Sequence, residues 1–209
     1  MKAKRRTKVL FVYASFENLG IEYLSSILNR SAISNSLVFD PMLYNDTFIF
    51  KPLRKKIFSF RKDVLNEIKS KNPEIIMISV VSDLFSYWLD LAKEIRKKSD
   101  AYIIFGGPHP TLVPKKVLEH DEVDLVVRGE AEEIIVPLVI SILKGSIDYK
   151  LPNIAYRNHK NESIINNISY PKDLDSLPRP NKELFYDKDP SCKIGYNIIS
   201  IRGCPNKCS

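Results

Sequence analysis

Cysteine is scarce in these 209 residues: there are three, two of them (Cys204 and Cys208) in one turn near the end. So few, so placed, do not form a disulfide framework. In a reducing compartment a close pair more often ligates metal or does redox work. Long hydrophobic runs are also missing, and none approaches the ~20 residues a bilayer-crossing helix needs. The basic start (residues 2–6) leads into Val9-Leu10-Phe11-Val12-Tyr13-Ala14, a faint imitation of a signal peptide. That run is short, Glu17 follows it, and no small-residue cleavage site appears. A buried first strand is the favoured reading, with the cytoplasm as the expected compartment.

Several nucleotide and signalling signatures are lacking too. No Gly-x-Gly-x-x-Gly follows the first strand, which removes the phosphate cradle of a nicotinamide-dinucleotide fold. No Gly-x4-Gly-Lys-Ser/Thr is present, which argues against a P-loop NTPase. A receiver domain needs acidic residues after the first and third strands; Ala14-Ser15 and Ser79-Val80 stand there instead.

What is present is ordinary for a globular protein: 44% hydrophobic and 27% charged residues. The net charge is +7, from 32 Lys and Arg against 25 Asp and Glu, with clusters at 2–6, 51–56 and 96–98. No recognition motif or aromatic platform accompanies these clusters, so solvated basic faces are favoured over nucleic-acid binding.

Strand and helix patterns alternate along the chain. Apolar runs at 8–13, 37–39, 74–80, 101–105 and 124–128 read as strands, the long ones as parallel strands buried on both faces. Helical patterns cover 19–28, 54–69, 83–98, 114–119 and a stretch from Gly129-Glu130 to about 143, and Asn72-Pro73 acts as a breaker. This order predicts an α/β, doubly wound, Rossmann-like parallel sheet. Residues 153–157 and 163–166 read as a β-hairpin, 170–191 as a proline-containing linker, and 196–201 as a further strand. The expected organisation is an α/β domain at 1–149, hairpin and linker at 150–195, and the start of another domain at 196–209.

In such a sheet ligands bind beyond the carboxyl ends of the strands. The segments there are 15–20, 79–83, 106–111 and 128–130. Gly106-Gly107 and Gly129 remove side chains where the backbone turns tightly or a bulky ligand approaches; plain turn chemistry is the equal alternative. His109, between two prolines, reads more readily as a hydrogen-bonded turn residue than as a metal ligand. Glu130 either stabilises a helix dipole or accepts a hydrogen bond from a ligand.

Leu19-Gly20-Ile21-Glu22-Tyr23-Leu24, Phe105-Gly106-Gly107-Pro108-His109-Pro110-Thr111 and Val123-Asp124-Leu125-Val126-Val127-Arg128-Gly129-Glu130, in this order and spacing, resemble the N-terminal cobalamin-binding domain of B12-binding radical SAM proteins. Leu177-Pro178-Arg179-Pro180 is similar to that family's linker, and Arg202-Gly203-Cys204-Pro205 to the opening of its Cys-x3-Cys-x2-Cys cluster loop. The resemblance implies a corrin over Ser79, Val80, Val81, Ser82 and Gly106, Gly107, His109. It implies a nucleotide tail near Leu19, Gly20, Gly129 and Glu130. It also implies cluster ligation by Cys204 and Cys208, with S-adenosylmethionine bound at the cluster's open iron. The third cysteine of the motif would fall two residues beyond Ser209, so a 4Fe-4S cluster and S-adenosylmethionine are expected only with the barrel that the resemblance places downstream. Cys192 has the wrong spacing and reads as a linker residue. Many cobalamin proteins carry Asp-x-His-x-x-Gly after the first strand, where the His binds cobalt; here the segment is Ser15-Phe16-Glu17-Asn18-Leu19-Gly20, with no His. The alternative from another class is an interaction or substrate-presenting module that binds no cobalamin.

Overall fold

β1 (Val9–Ala14), β3 (Ile75–Ser79), β4 (Tyr102–Gly106) and β5 (Leu125–Val127) are short runs of branched and aromatic residues with almost every side chain buried. Burial on both faces leaves such a strand one stable place, inside a sheet covered on each side by helices. With β2 (Asn35–Asp40), β6 (Ile154–Arg157) and β7 (Ser163–Ile165) they form a seven-stranded sheet in the order β2-β1-β3-β4-β5-β6-β7. β2 through β5 are parallel; β6 and β7 run antiparallel. The coordinates are a computed structural model and describe residues 7–14, 16–40 and 60–203.

Alternate residues of each strand feed two cores. Phe11, Met77, Ile104 and Val127 point to one face, where they meet Ile21 and Leu28 of α1 (Leu19–Arg30) and Ile135, Leu138 and Val139 of α6 (Ile135–Leu143). Val12, Ile76, Ile78, Phe105 and Val126 point to the other. There they pack on α2 (Phe60–Lys71), α3 (Phe85–Arg96) and α5 (Pro114–Leu118), with Trp88 and Leu91 fully enclosed. Asn18 starts α1 by accepting the amide of Ile21 at 3.0 Å. At the end of α2, Asn72 takes a φ of 43° ahead of Pro73, which cannot continue the helix.

Several elements differ from the sequence expectation. The helix expected to open at Gly129-Glu130 begins at Ile135, so Glu130 is no helix-dipole residue. The Pro108-His109-Pro110 stretch forms a short helix, α4 (Pro108–Leu112), because proline suits the first helical position. The hairpin does not stand apart: β6 pairs with β5 and continues the sheet. Residues 196–201, expected as a strand, pair with no strand among the described residues. The start of the helix expected from 54, the basic clusters at 2–6 and 51–56, and both Cys204 and Cys208 lie outside the described residues. Of the third basic cluster, Arg96 is committed inward, to Asp124 at 2.6 Å and to the carbonyls of Ala101 and Glu122.

The joint between the parallel sheet and its antiparallel extension rests on Asn153, which is 1% exposed and holds a φ of 61°. Its side chain donates to the carbonyls of Glu130 and Ser169 and accepts the amide of Ser169. Its backbone carbonyl accepts the amide of Arg128 at 2.7 Å. Asn153→Ala strands these buried groups, and urea denaturation should show a loss of about 2–4 kcal/mol. A loss under about 1 kcal/mol would mean that water replaces the side chain without cost.

Candidate functional site

The strand order reverses between β1 and β3, since the chain leaves β1 towards β2 and returns to β3 on the opposite side. At that switch point the loops diverge, and a cleft opens beyond the carboxyl ends. A cavity of 260 Å³ occupies it, floored by Phe11, Met77 and Ile104 of the sheet and walled by Ile21 and Leu24 of α1 and Ile135 of α6. Its rim carries Gly20, Ser79, Gly106, Gly107, Gly129 and Glu132. The lining is mostly hydrocarbon, so the cavity suits a flat apolar group better than a charged one.

The glycines serve different ends. Gly107 has a φ of 94°, and a Cβ there would lie 2.9 Å from both Ser79 Oγ and the Val80 nitrogen. Glycine is required at this position by the protein's own packing. The same turn is held by Val80 N donating to Gly106 O at 2.8 Å and His109 N donating to Val80 O at 3.1 Å. The Thr111 hydroxyl donates to Gly107 O at 2.8 Å and accepts the amide of Gly129 at 2.8 Å, joining two glycine turns through one side chain. At Gly106 a Cβ would meet nothing closer than 3.7 Å, so its bareness keeps the rim open.

The residues singled out by sequence fall into two groups. Gly20, Ser79, Gly106, Gly107 and Gly129 come together on the cavity. Leu19 does not line it, and the Val80 side chain is buried in the core of the other face. His109 also turns away. Its Nδ1 lies 3.0 Å from Ser82 Oγ and its ring stacks on Phe85 at 4.4 Å, leaving Nε2 buried without a hydrogen-bond partner. Val81 and Ser82 are exposed on the edge. Sequence reading overlooked Phe16, two residues beyond β1, and Leu112 and Val113 at the end of α4, all exposed, as is Val81 two residues beyond β3. Phe16 and Leu112 are 62% and 77% exposed, large apolar side chains left in water. No signal short of the fold marks them.

The Ser15–Gly20 segment holds a second surprise. Glu17, at the position a cobalt-binding His would take, is turned towards the linker, where Lys182 Nζ meets Glu17 Oε1 at 2.9 Å and Glu22 Oε2 at 3.0 Å. All three side chains are at most 8% exposed. Lys182 also donates to Asn197 O at 2.8 Å, and Asn197 donates to Glu17. The Glu22 carboxylate lies off the line of any hydrogen bond. Burial pushes its pKa up to about 7, with the Glu17 charge adding to the shift. For Glu17, burial is outweighed by the hydrogen bonds from Lys182 and Asn197, and its pKa falls. Of the two carboxyls on this ammonium, Glu22 is thus the one pushed towards its protonated form and Glu17 the one held ionised. Cys192 is partly buried near Asp189, and burial and that charge keep its thiol protonated, unlike a ready cluster ligand. Among the described residues no cluster of His, Cys, Asp or Glu could hold a metal ion, and no helix is long and apolar enough to cross a membrane.

A family model described as the B12 binding domain matches residues 11–139. Among solved structures, the cobalamin-dependent S-adenosylmethionine radical enzyme OxsB with aqua-cobalamin and S-adenosylmethionine bound is similar at 17% identity and a TM-score of 0.68, over 87% of this chain and 25% of that one. The radical S-adenosylmethionine methyltransferase TsrM from Kitasatospora setae, with cobalamin and a [4Fe-4S] cluster bound, is similar at 14% identity and a TM-score of 0.62, over 83% of this chain and 31% of that one. These likenesses are of fold, and the chain spans 25% and 31% of those two proteins' lengths. No curated protein matches it.

The raised pKa of Glu22 makes stability depend on pH. Between the ordinary value of 4.5 and about 7 the folded protein binds more protons than the unfolded chain, so this group's contribution to stability falls as pH rises through that window. Glu17 acts oppositely, its contribution being lost as pH falls below the ordinary carboxylate range. Glu22→Gln removes the first cost. Its stability relative to wild type should rise by on the order of 1–2 kcal/mol between pH 5 and pH 8, solvent and the ammonium screening part of the full linkage value. Equal differences at both pH values in urea denaturation would show that Glu22 ionises freely.

Proposed function

The chain belongs to the B12-binding domain family, and from that premise we propose that it holds cobalamin at the carboxyl edge of its sheet as the cofactor domain of a radical S-adenosylmethionine enzyme. One observation carries the reading: the family's ligand edge has a glycine-rimmed apolar cavity at the β1/β3 switch point. At 260 Å³ it is far too small for a whole corrinoid but suits the aromatic end of the nucleotide tail. The corrin then rests outside, over Gly106, Ser79 and the exposed apolar groups of Phe16, Val81 and Leu112. A macrocycle that is broad and largely hydrocarbon on its faces removes those side chains from water.

When bound, cobalamin supplies a carrier for a methyl group, or a cobalt centre for other radical chemistry on unactivated carbon. The chain's own residues do the seating. Gly20 and Gly129 sit on the rim beside the tail, the latter in a positive-φ turn packed on Ile168, while Ile21, Leu24 and Ile135 exclude water from its base, and Gly106 lets the corrin edge approach the strand end. Glu17 offers cobalt no ligand, because Lys182 and Asn197 occupy its oxygens. A 4Fe-4S cluster with S-adenosylmethionine belongs to this reading only with Cys204, Cys208 and a third ligand from a barrel partner. The same Glu17 arrangement favours the second reading, an interaction module without corrinoid. Corrinoid co-purifying from a B12-replete host would dismiss that alternative.

Hydroxocobalamin titrated into the purified chain should change its visible spectrum at tens of micromolar or below. Ala131→Leu, which pushes a larger side chain into the cavity, should weaken binding about tenfold, equivalent to ~1.4 kcal/mol, with the circular dichroism unchanged. No spectral change in wild type, or full affinity in the variant, would overturn this seating.

A further inference from the structure

The C-terminal segment returns to the cavity rim at a second point, separate from Lys182. Arg202 Nη1 donates to Glu132 Oε1 at 2.6 Å and to Glu130 Oε2 at 2.8 Å, while its guanidinium lies 5.1 Å from the centre of the Tyr23 ring. The arginine side chain is 17% exposed, and that of Glu132 is 5% exposed. The backbone around it is not so enclosed: Ile201 is 78% exposed, and an added Cβ at Gly203 would meet nothing within 4 Å. One side chain therefore fastens an otherwise exposed stretch. Its acceptors sit just after Gly129, Glu132 lines the cavity, and Tyr23 follows Glu22 on α1.

Charge makes this contact more than incidental. Glu132 is buried, and with Arg202 withdrawn its carboxylate would be left unpaired in a largely apolar wall, which is costly. Two carboxylates facing one guanidinium keep a net negative notch that draws the cation back. The planar group also stacks on Tyr23, a contact an ammonium matches poorly. Neither Glu130 nor Glu132 donates or accepts any other side-chain hydrogen bond among the described residues that would hold its carboxylate in place.

We propose that Arg202 is a positioning residue: it fastens the segment leading into Gly203-Cys204 to the wall of the cavity, and through Glu132 it links occupancy of the cavity to the placement of that segment. The linkage rests on the reading of the cavity as the seat of the cobalamin tail; the fastening does not. A ligand base seated against Ile135 and Glu132 restricts the Glu132 side chain, and the restricted carboxylate holds Arg202 more firmly. Occupancy of the cavity would then tighten a fastening of the segment up to Gly203 that already exists without it.

A nitroxide reports this directly. In a background of Cys192→Ser, Cys204→Ser and Cys208→Ser, S200C places the label on an exposed residue two positions before Arg202. The ligand-free spectrum should contain a slow component. Arg202→Gln should abolish it, Glu132→Gln should reproduce that loss, and Arg202→Lys should retain part of it. Adding hydroxocobalamin should raise the slow fraction in the parent and leave Arg202→Gln unchanged while both bind. An Arg202→Gln spectrum identical to the parent without ligand overturns the fastening. A slow fraction indifferent to bound hydroxocobalamin overturns the linkage. Absence of binding in the parent overturns the cavity reading and the linkage with it, while the ligand-free comparison still decides the role of Arg202.

Discussion

Four hydrogen bonds tie the carboxyl ends of β3, β4 and β5 into one edge: Val80 N to Gly106 O, His109 N to Val80 O, Thr111 Oγ1 to Gly107 O, and Gly129 N to Thr111 Oγ1. A parallel sheet leaves its strand ends with backbone groups that must find partners or water. Here the turns satisfy one another, two of the bonds through backbone groups alone and two through the Thr111 hydroxyl. That closure depends on Gly107, which has a positive φ and stands where a Cβ would lie only 2.9 Å from Ser79 Oγ and Val80 N. With the turns locked, the floor of the cavity is fixed by the sheet and only its far wall, α1 and α6, is free to shape the opening. A rigid floor beneath a shaped mouth is what a binding site needs.

The rim is acidic where the linker crosses it. Glu17, Glu22, Glu130 and Glu132 line the path, and Lys182 and Arg202 answer them. Pairs this buried give little net stability, since desolvation offsets most of the attraction. Their effect is specificity of placement: few positions of the linker satisfy both cations at once. The loop that in other cobalamin proteins presents a metal ligand here serves the linker instead, through Glu17.

Much of this was legible in sequence. Continuous apolar runs forecast the buried parallel strands, and the glycines at their ends marked the rim of the cavity, because both signals are local. Gly20, Gly106 and Gly129 could be named for that reason. Other features are set by distant contacts. Lys182 reads as one linker lysine among many, yet its partners are 165 and 160 residues away, and nothing in its neighbours says so. Asn153 reads as the first residue of a hairpin strand, and its three side-chain bonds depend on where the sheet extension docks. Phe16 and Leu112 carry no local mark, and only the fold reveals them as exposed apolar groups. Glu130 was misplaced because an acidic residue after a strand imitates a helix start, whereas the chain takes five more residues to reach α6.

The seating of cobalamin is tested most directly by amide chemical shifts in ¹⁵N-labelled protein, where glycines resonate apart from other residues. Hydroxocobalamin bound as proposed shifts Gly20, Gly106, Gly107 and Gly129 and leaves Gly145 and Gly195, neither of which lines the cavity, in place. Shifts confined to Gly145 or Gly195, or saturation with none of the four rim glycines moving, would contradict it.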